Sequence, residues 1–126
     1  MKKIWILFLS GFLVIILPSC RNHWLCRSNG TLQIANVGDV AVGLFLFAGE
    51  DWREEVLESG ESAVYDFSWN GAAGLDIVME VEDLRDGQVL VENFILLDGE
   101  WQDWEVGFLY RGNDKYGGSA NCASSR

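Results

Sequence analysis

Histidine, proline and cysteine are close to absent from this chain of 126 residues, and each shortage closes off a class of function. The one histidine, His23, stands near the start, so no Ser-His-Asp triad can be assembled in the body of the sequence. The three cysteines form no CxxC pair and no Cys/His cluster, which leaves structural zinc without a ligand set. The single proline, Pro18, closes the leading apolar run, and none follows to interrupt a strand. Positive charge is scarce as well. All nineteen acidic residues lie between Asp39 and Asp114, where the only basic ones are Arg53, Arg85 and Arg111. Such a segment repels nucleic acid and anionic headgroups, so neither is an expected partner. Its charge either keeps the domain soluble or presents a docking face to a cationic partner.

A run long enough to span a membrane is also missing. Lys2 and Lys3 precede Ile4 to Leu17 (IWILFLSGFLVIIL), an apolar stretch of fourteen residues. That suits a signal-peptide core and falls short of the roughly 20 residues of a transmembrane helix. Pro18 ends any helix there, because its ring clashes with the preceding turn and it has no N–H to donate. Ordinary signal cleavage wants small residues at minus three and minus one. A cut after Ser19 puts Leu17 at minus three, and a cut after Cys20 puts Pro18 there.

Leu17-Pro18-Ser19-Cys20 resembles the lipobox of bacterial lipoproteins, with an aliphatic residue at minus three, a small one at minus one and the obligatory cysteine. The resemblance implies a diacylglyceryl thioether on Cys20, cleavage before it and acylation of the new amino group. Several acyl chains, palmitate among them, anchor durably where one binds only marginally. An uncleaved anchor and a plainly secreted protein are the alternatives. Arg21 after Cys20 is not the aspartate that favours inner-membrane retention in enterobacteria, so the resemblance points to the outer membrane in a Gram-negative host.

Removal of residues 1–19 leaves 107 residues, room for one domain, and takes the formal charge from −10 to −12. The expected layout is a signal peptide over 1–19, a tether over 20–30, a β domain over 31–111 and a flexible polar tail over 112–126. With Cys20 lipidated, Cys26 and Cys122 flank the domain, and an oxidising compartment makes a disulfide between them the expectation. It would close a loop of about 95 residues, worth roughly 4–5 kcal/mol in the chain-entropy view.

After Gly30 the pattern becomes short apolar runs between turn residues. Leu32 and Ile34 alternate, and Val40 to Phe47 (VAVGLFLF) is apolar on both faces, as a strand buried between layers would be. Trp52 to Leu57 fits two turns of helix or an edge strand. Ser59-Gly60 at hairpin distance favours the strand. Ala63, Tyr65, Phe67 and Trp69 share one face of the next run, the clearest period-two signal in the chain. Leu75, Ile77, Met79 and Val81 follow facing inward, with Asp76, Glu80 and Glu82 facing water. QVLVENFILL is largely apolar on both faces, and Trp104, Val106, Phe108 and Tyr110 then share a face. Seven to eight short antiparallel strands argue for an all-β sandwich, with a small barrel as alternative.

The order of turns carries a further resemblance. Asn36-Val37-Gly38-Asp39 ends an alternating strand, Leu57-Glu58-Ser59-Gly60-Glu61-Ser62 precedes an aromatic strand, and Glu92-Asn93 lies near the end. These are similar to immunoglobulin-like bacterial modules of the cell-adhesion-related (CARDB) type over about residues 31–94. Trp101 to Arg111 adds a strand beyond that family's expected end. The resemblance implies an immunoglobulin-like binding or spacer module and no enzyme.

Nineteen acidic residues make some carboxylate pair inevitable, so pairing alone does not point to glycoside hydrolysis. Asp83, Asp86 and Gly87, or Asp98, Glu100 and Asp103, put oxygen ligands on loops, but neither has EF-hand spacing, and Asp and Gly belong in turns anyway. No metal and no cofactor is expected. Trp52 and Trp101 are the candidate partner-binding residues, as exposed aromatic anchors for a protein or glycan, while Trp69 and Trp104 are expected in the core. The sequence thus leads to a lipid-anchored envelope protein displaying a binding or structural module. An accessory lipoprotein of a secretion or envelope machine, or an inhibitor of a cationic enzyme such as lysozyme, is the alternative.

Overall fold

Among the described residues, 27–126 of a computed structural model, the chain forms eight strands and no helix. The expected signal peptide, Cys20 and Cys26 lie outside them. The strands are β1 (Arg27–Asn36), β2 (Val42–Ala48), β3 (Asp51–Leu57), β4 (Ser62–Asn70), β5 (Leu75–Asp83), β6 (Val89–Leu96), β7 (Trp101–Arg111) and β8 (Asp114–Ser125). They make two four-stranded sheets, ordered β4-β1-β7-β8 and β3-β2-β5-β6. All strand pairs are antiparallel except β1 with β7, which is parallel.

The result is the expected sandwich, with eight strands. β2–β3, β5–β6 and β7–β8 are hairpins within a sheet, and the other connections cross between sheets. In this order β1 to β6 take the places of strands B, C, C′, E, F and G of an immunoglobulin-type sandwich. β7 lies where strand A would flank strand B, but runs the opposite way along it.

Period-two alternation builds the core. Leu32 and Ile34 of β1, Leu44 and Leu46 of β2, Ile77, Met79 and Val81 of β5, and Val106 and Phe108 of β7 point between the sheets and are buried. Each such side chain contributes about 1.5–3 kcal/mol by leaving water. Trp104 packs its ring 4.4 Å, centroid to centroid, from that of Phe94. Trp69 is only half-buried, at the margin of the core, and its Nε1 donates to the Ala73 carbonyl. Trp52 to Leu57 is strand, as its neighbouring turn indicated.

Two expectations are corrected. Residues 112–126 are not a flexible tail: after a tight turn at Gly112 they return as β8, paired along the whole of β7. The domain also begins earlier than residue 31, because Arg27 to Gly30 are already paired with β4. A third departure concerns β2, which is not buried on both sides. Val42, Leu44 and Leu46 face the core, while Phe45 and Phe47 face outward with no layer above them.

The top of the sandwich is held by one amide. Asn36, 1% exposed at the end of β1, donates through Nδ2 to the carbonyls of Val40 and Leu57, both at 2.9 Å, and its Oδ1 accepts from Gly38 N at 3.0 Å. Its own backbone pairs with Glu61 O and Gly60 N, and Ser59 Oγ donates to Gly38 O. The Asn36-Val37-Gly38 and Leu57-to-Ser62 turns are therefore two halves of one junction. The crossing chain lies so close to β7 that a Cβ on Gly38 would sit 2.4 Å from Phe108 N. Gly107 meets it from the other side with φ of 148°.

Replacing Asn36 by Ala strands two carbonyls and one N–H in the interior, so we expect a loss of about 3–5 kcal/mol in urea unfolding. Asn36→Asp should be no better at neutral pH, because a carboxylate keeps the acceptor for Gly38 and loses both donors. A loss below about 1 kcal/mol for either variant would remove the amide from its place as keystone.

Candidate binding surface

An antiparallel sandwich normally alternates apolar-in with polar-out on each sheet. The outer face of the β4-β1-β7-β8 sheet comes nearer to this, carrying Thr31, Gln33, Ser62, Asp66, Ser68 and Glu105, with Val64 and Trp101 as apolar exceptions. The β3-β2-β5-β6 sheet does not. Its register sets out the outward side chains in rows: Val56, Gly43, Glu82, Val89; then Glu54, Phe45, Glu80, Val91; then Trp52, Phe47, Val78, Asn93. Asp76 and Ile95 begin a fourth row. Trp52 is 60% exposed, Val91 57%, Val56 55% and Ile95 54%. Side chains directly opposite in a row lie within about 4.5–5.5 Å, so Trp52, Phe47 and Val78 form one continuous apolar strip.

The carboxylates on this face have an order of their own. Asp76, Glu80 and Glu82 stand on β5 as an acidic ridge broken by Val78 between Asp76 and Glu80; Glu80 and Glu82 lie between β2 and the Val91 and Val89 of β6, and Glu54 of β3 adds a fourth carboxylate across Phe45. Among the described residues none of the three is in an ion pair. The nearest basic side chain in the sheet, Arg53, points the other way, where it pairs with Asp51 at 3.1 Å and lies over the Phe67 ring.

Trp52 and Trp101, singled out together from sequence, do not meet. Trp101 opens β7 on the outer face of the other sheet, where its Nε1 donates to Asp103 Oδ1 at 2.7 Å and the Arg126 guanidinium lies 5.4 Å from its ring. Beside it an open groove of about 390 Å³ is lined by Gln33, Ala35, Asp103, Glu105, Ser124 and Arg126 among others. Hydrogen bonds from Trp101 and Ser124, and the charge of Arg126, hold the Asp103 carboxyl below its ordinary pKa.

A second polar cluster closes the top of the sandwich. Asp83, fully buried at the end of β5, accepts from the Tyr110 hydroxyl and from Arg85 N at 2.8 Å, and Lys115 Nζ stands 3.0 Å from it. Lys115 also reaches Asp86 at 2.6 Å and lies over the Phe108 ring. Asp83 and Asp86 thus converge on an ammonium group supplied by β8. Among the described residues no three His, Cys, Asp or Glu side chains are grouped to hold a metal ion. Burial alone would raise the pKa of Asp83, but the bonds from Tyr110, Lys115 and Arg85 outweigh it and hold the carboxyl below its usual range.

Cys122 lies on β8 opposite Trp104, which lies opposite Ile34 of β1. Cys26, its expected partner, is outside the described residues. Cys122 is a free, exposed thiol among the described residues. Burial, with Glu100 and Asp103 nearby, raises the Cys122 thiol above its ordinary pKa against a bond to Ser124 O that lowers it.

Sequence patterning did contain the exposed apolar face, in the two runs apolar on both faces, VAVGLFLF and QVLVENFILL. It assigned the first to burial between layers instead. No protein-family model matches the chain, and no curated protein matches it.

Two outcomes follow. Asp83, Glu100 and Asp103 all have folded pKa values held low, so protonation favours the unfolded chain. Stability should be level from about pH 7 to 5 and fall below about pH 4, and Asp83→Asn should flatten that acid slope in urea midpoints measured across pH. Cys122, exposed and held as a thiol, should react slowly with iodoacetamide at pH 7 and faster as pH rises. Complete protection of Cys122 in the non-reduced protein would instead establish a disulfide.

Proposed function

We propose that this chain is a lipid-anchored protein of the cell envelope whose sandwich is a non-catalytic binding module, held at the membrane through acylated Cys20. The observation that carries the binding reading is the outer face of β3-β2-β5-β6, where Phe47, Trp52, Val56, Val89, Val91 and Ile95 are left in water. A contiguous exposed apolar patch on a soluble domain marks an interaction site. The membrane reading rests on Leu17-Pro18-Ser19-Cys20 and on the short run before Leu17. In a Gram-negative host the expected address is the outer membrane.

The two readings fit together sterically. β1 starts at Arg27, so only Arg21 to Cys26 separate the anchored residue from the first strand. Fully extended, that reach is about 20–25 Å. Arg126 and Trp101 pair with each other level with Thr31, in the half of β1 nearer its start. The Asn36 junction and the Asp83 cluster lie toward the far end of β1, and the open face stands on the side, where neither end covers it.

Intact mass of the mature protein from membranes is the test. It should correspond to the chain beginning at Cys20 with a diacylglyceryl group and one further acyl chain, and extraction should need detergent. The unmodified mass, in a protein released by salt or by osmotic shock, would overturn the anchored reading.

A further inference from the structure

We propose that the outer face of β3-β2-β5-β6 receives a single amphipathic cationic segment of a protein partner, whose Lys or Arg side chains meet Asp76, Glu80 and Glu82 while its apolar side chains cover Phe47, Trp52 and Val91. This rests on the binding-module reading above and goes beyond it in naming the partner's chemistry. Successive outward residues on one strand are about 6.8 Å apart, so Glu80 and Glu82 carry like charges at that spacing, with Asp76 two outward positions before Glu80. With β2 on one side of Glu80 and Glu82 and the Val91 and Val89 of β6 on the other, the face needs a partner that is basic along a line and apolar on both sides of it. An amphipathic helix offers this, with basic side chains at i and i+4 about 6 Å apart along its axis.

Other occupants fit less well. A second copy would bring the same carboxylates against these, like charge on like. Nucleic acid and anionic membrane are repelled by the same carboxylates. One short helical segment, basic along its middle and apolar beside it, matches the charge and the exposed apolar side chains.

The probe is a fluorescent Leu/Lys amphipathic helical peptide, titrated by anisotropy against the full protein in phosphatidylcholine nanodiscs, with empty nanodiscs subtracted. Two double variants carry the same change in net charge: Glu80→Lys/Glu82→Lys on this face, and Asp66→Lys/Glu105→Lys on the opposite sheet. The first should weaken binding tenfold or more and the second less than twofold. Phe47→Ser should weaken it at least fivefold, and a Ser/Lys peptide without the apolar stripe should bind as poorly. Circular dichroism establishes that each variant is folded, and light scattering reports whether the protein pairs with itself. Equal weakening by the two double variants, no weakening by either, or self-association through Phe47 would overturn the proposal. Each variant is compared with the parent protein prepared the same way, in nanodiscs where Cys20 carries lipid and in buffer where it does not, so the face is read in either case. Loss of the anchor is seen by mass alone, so failure of the envelope reading and failure of this one are told apart.

Discussion

The fold depends on a buried amide being satisfied. Asn36 has two N–H donors and a carbonyl to place inside a junction that water does not enter, and the chain answers with two carbonyls from separate strand ends and one backbone N–H. Leaving any of the three unmade would cost about 1–3 kcal/mol, which makes the junction either complete or absent. That condition fixes where β1 leaves its sheet, where β2 enters the other, and where β3 turns into β4. Through Gly38 and Gly107 it also fixes how closely β7 approaches, since neither backbone tolerates a Cβ at that contact. A single side chain thereby sets the offset between the two sheets.

The inward faces of β4 and β7 were legible because their apolar residues recur with a period of two. Ala63, Tyr65, Phe67 and Trp69 point one way in the sequence and in the structure, as do Trp104, Val106, Phe108 and Tyr110. The Asn-x-Gly and Leu-x-x-Gly-Glu-Ser turns were legible as turns. What they do to each other was not, because a contact between residues 36 and 57 leaves no local trace.

β8 was illegible for a physical reason. Tyr116-Gly117-Gly118-Ser119-Ala120 has little strand propensity of its own, and glycine in a strand usually weakens it. Here the glycine is required by a neighbour: a Cβ on Gly118 would stand 2.8 Å from the Phe108 ring, which fills that space. Strand identity in β8 is imposed by β7 and by Lys115 reaching Asp83, both long-range effects. The Cys122 position follows from the same pairing, so a reading that left the tail loose could place that thiol anywhere.

The candidate surface was visible as an anomaly before it was visible as a place. A strand apolar on both faces is explained by burial between two layers, and that is the ordinary outcome in larger proteins. The described residues form only two sheets, so among them the outward half of β2 and β6 has nothing to lie against. Solubility then falls to the residues interleaved with the apolar ones. Glu54 on the β3 edge and the β5 carboxylates break the patch into strips and oppose edge-to-edge or face-to-face pairing of like copies. On the proposed reading, the same carboxylates that keep the face from its own kind would make it selective for the opposite sign. Charge on this protein is thus better understood by position than by sum: a net −10 opposes self-association, and a few of those charges are placed on the open face by β5.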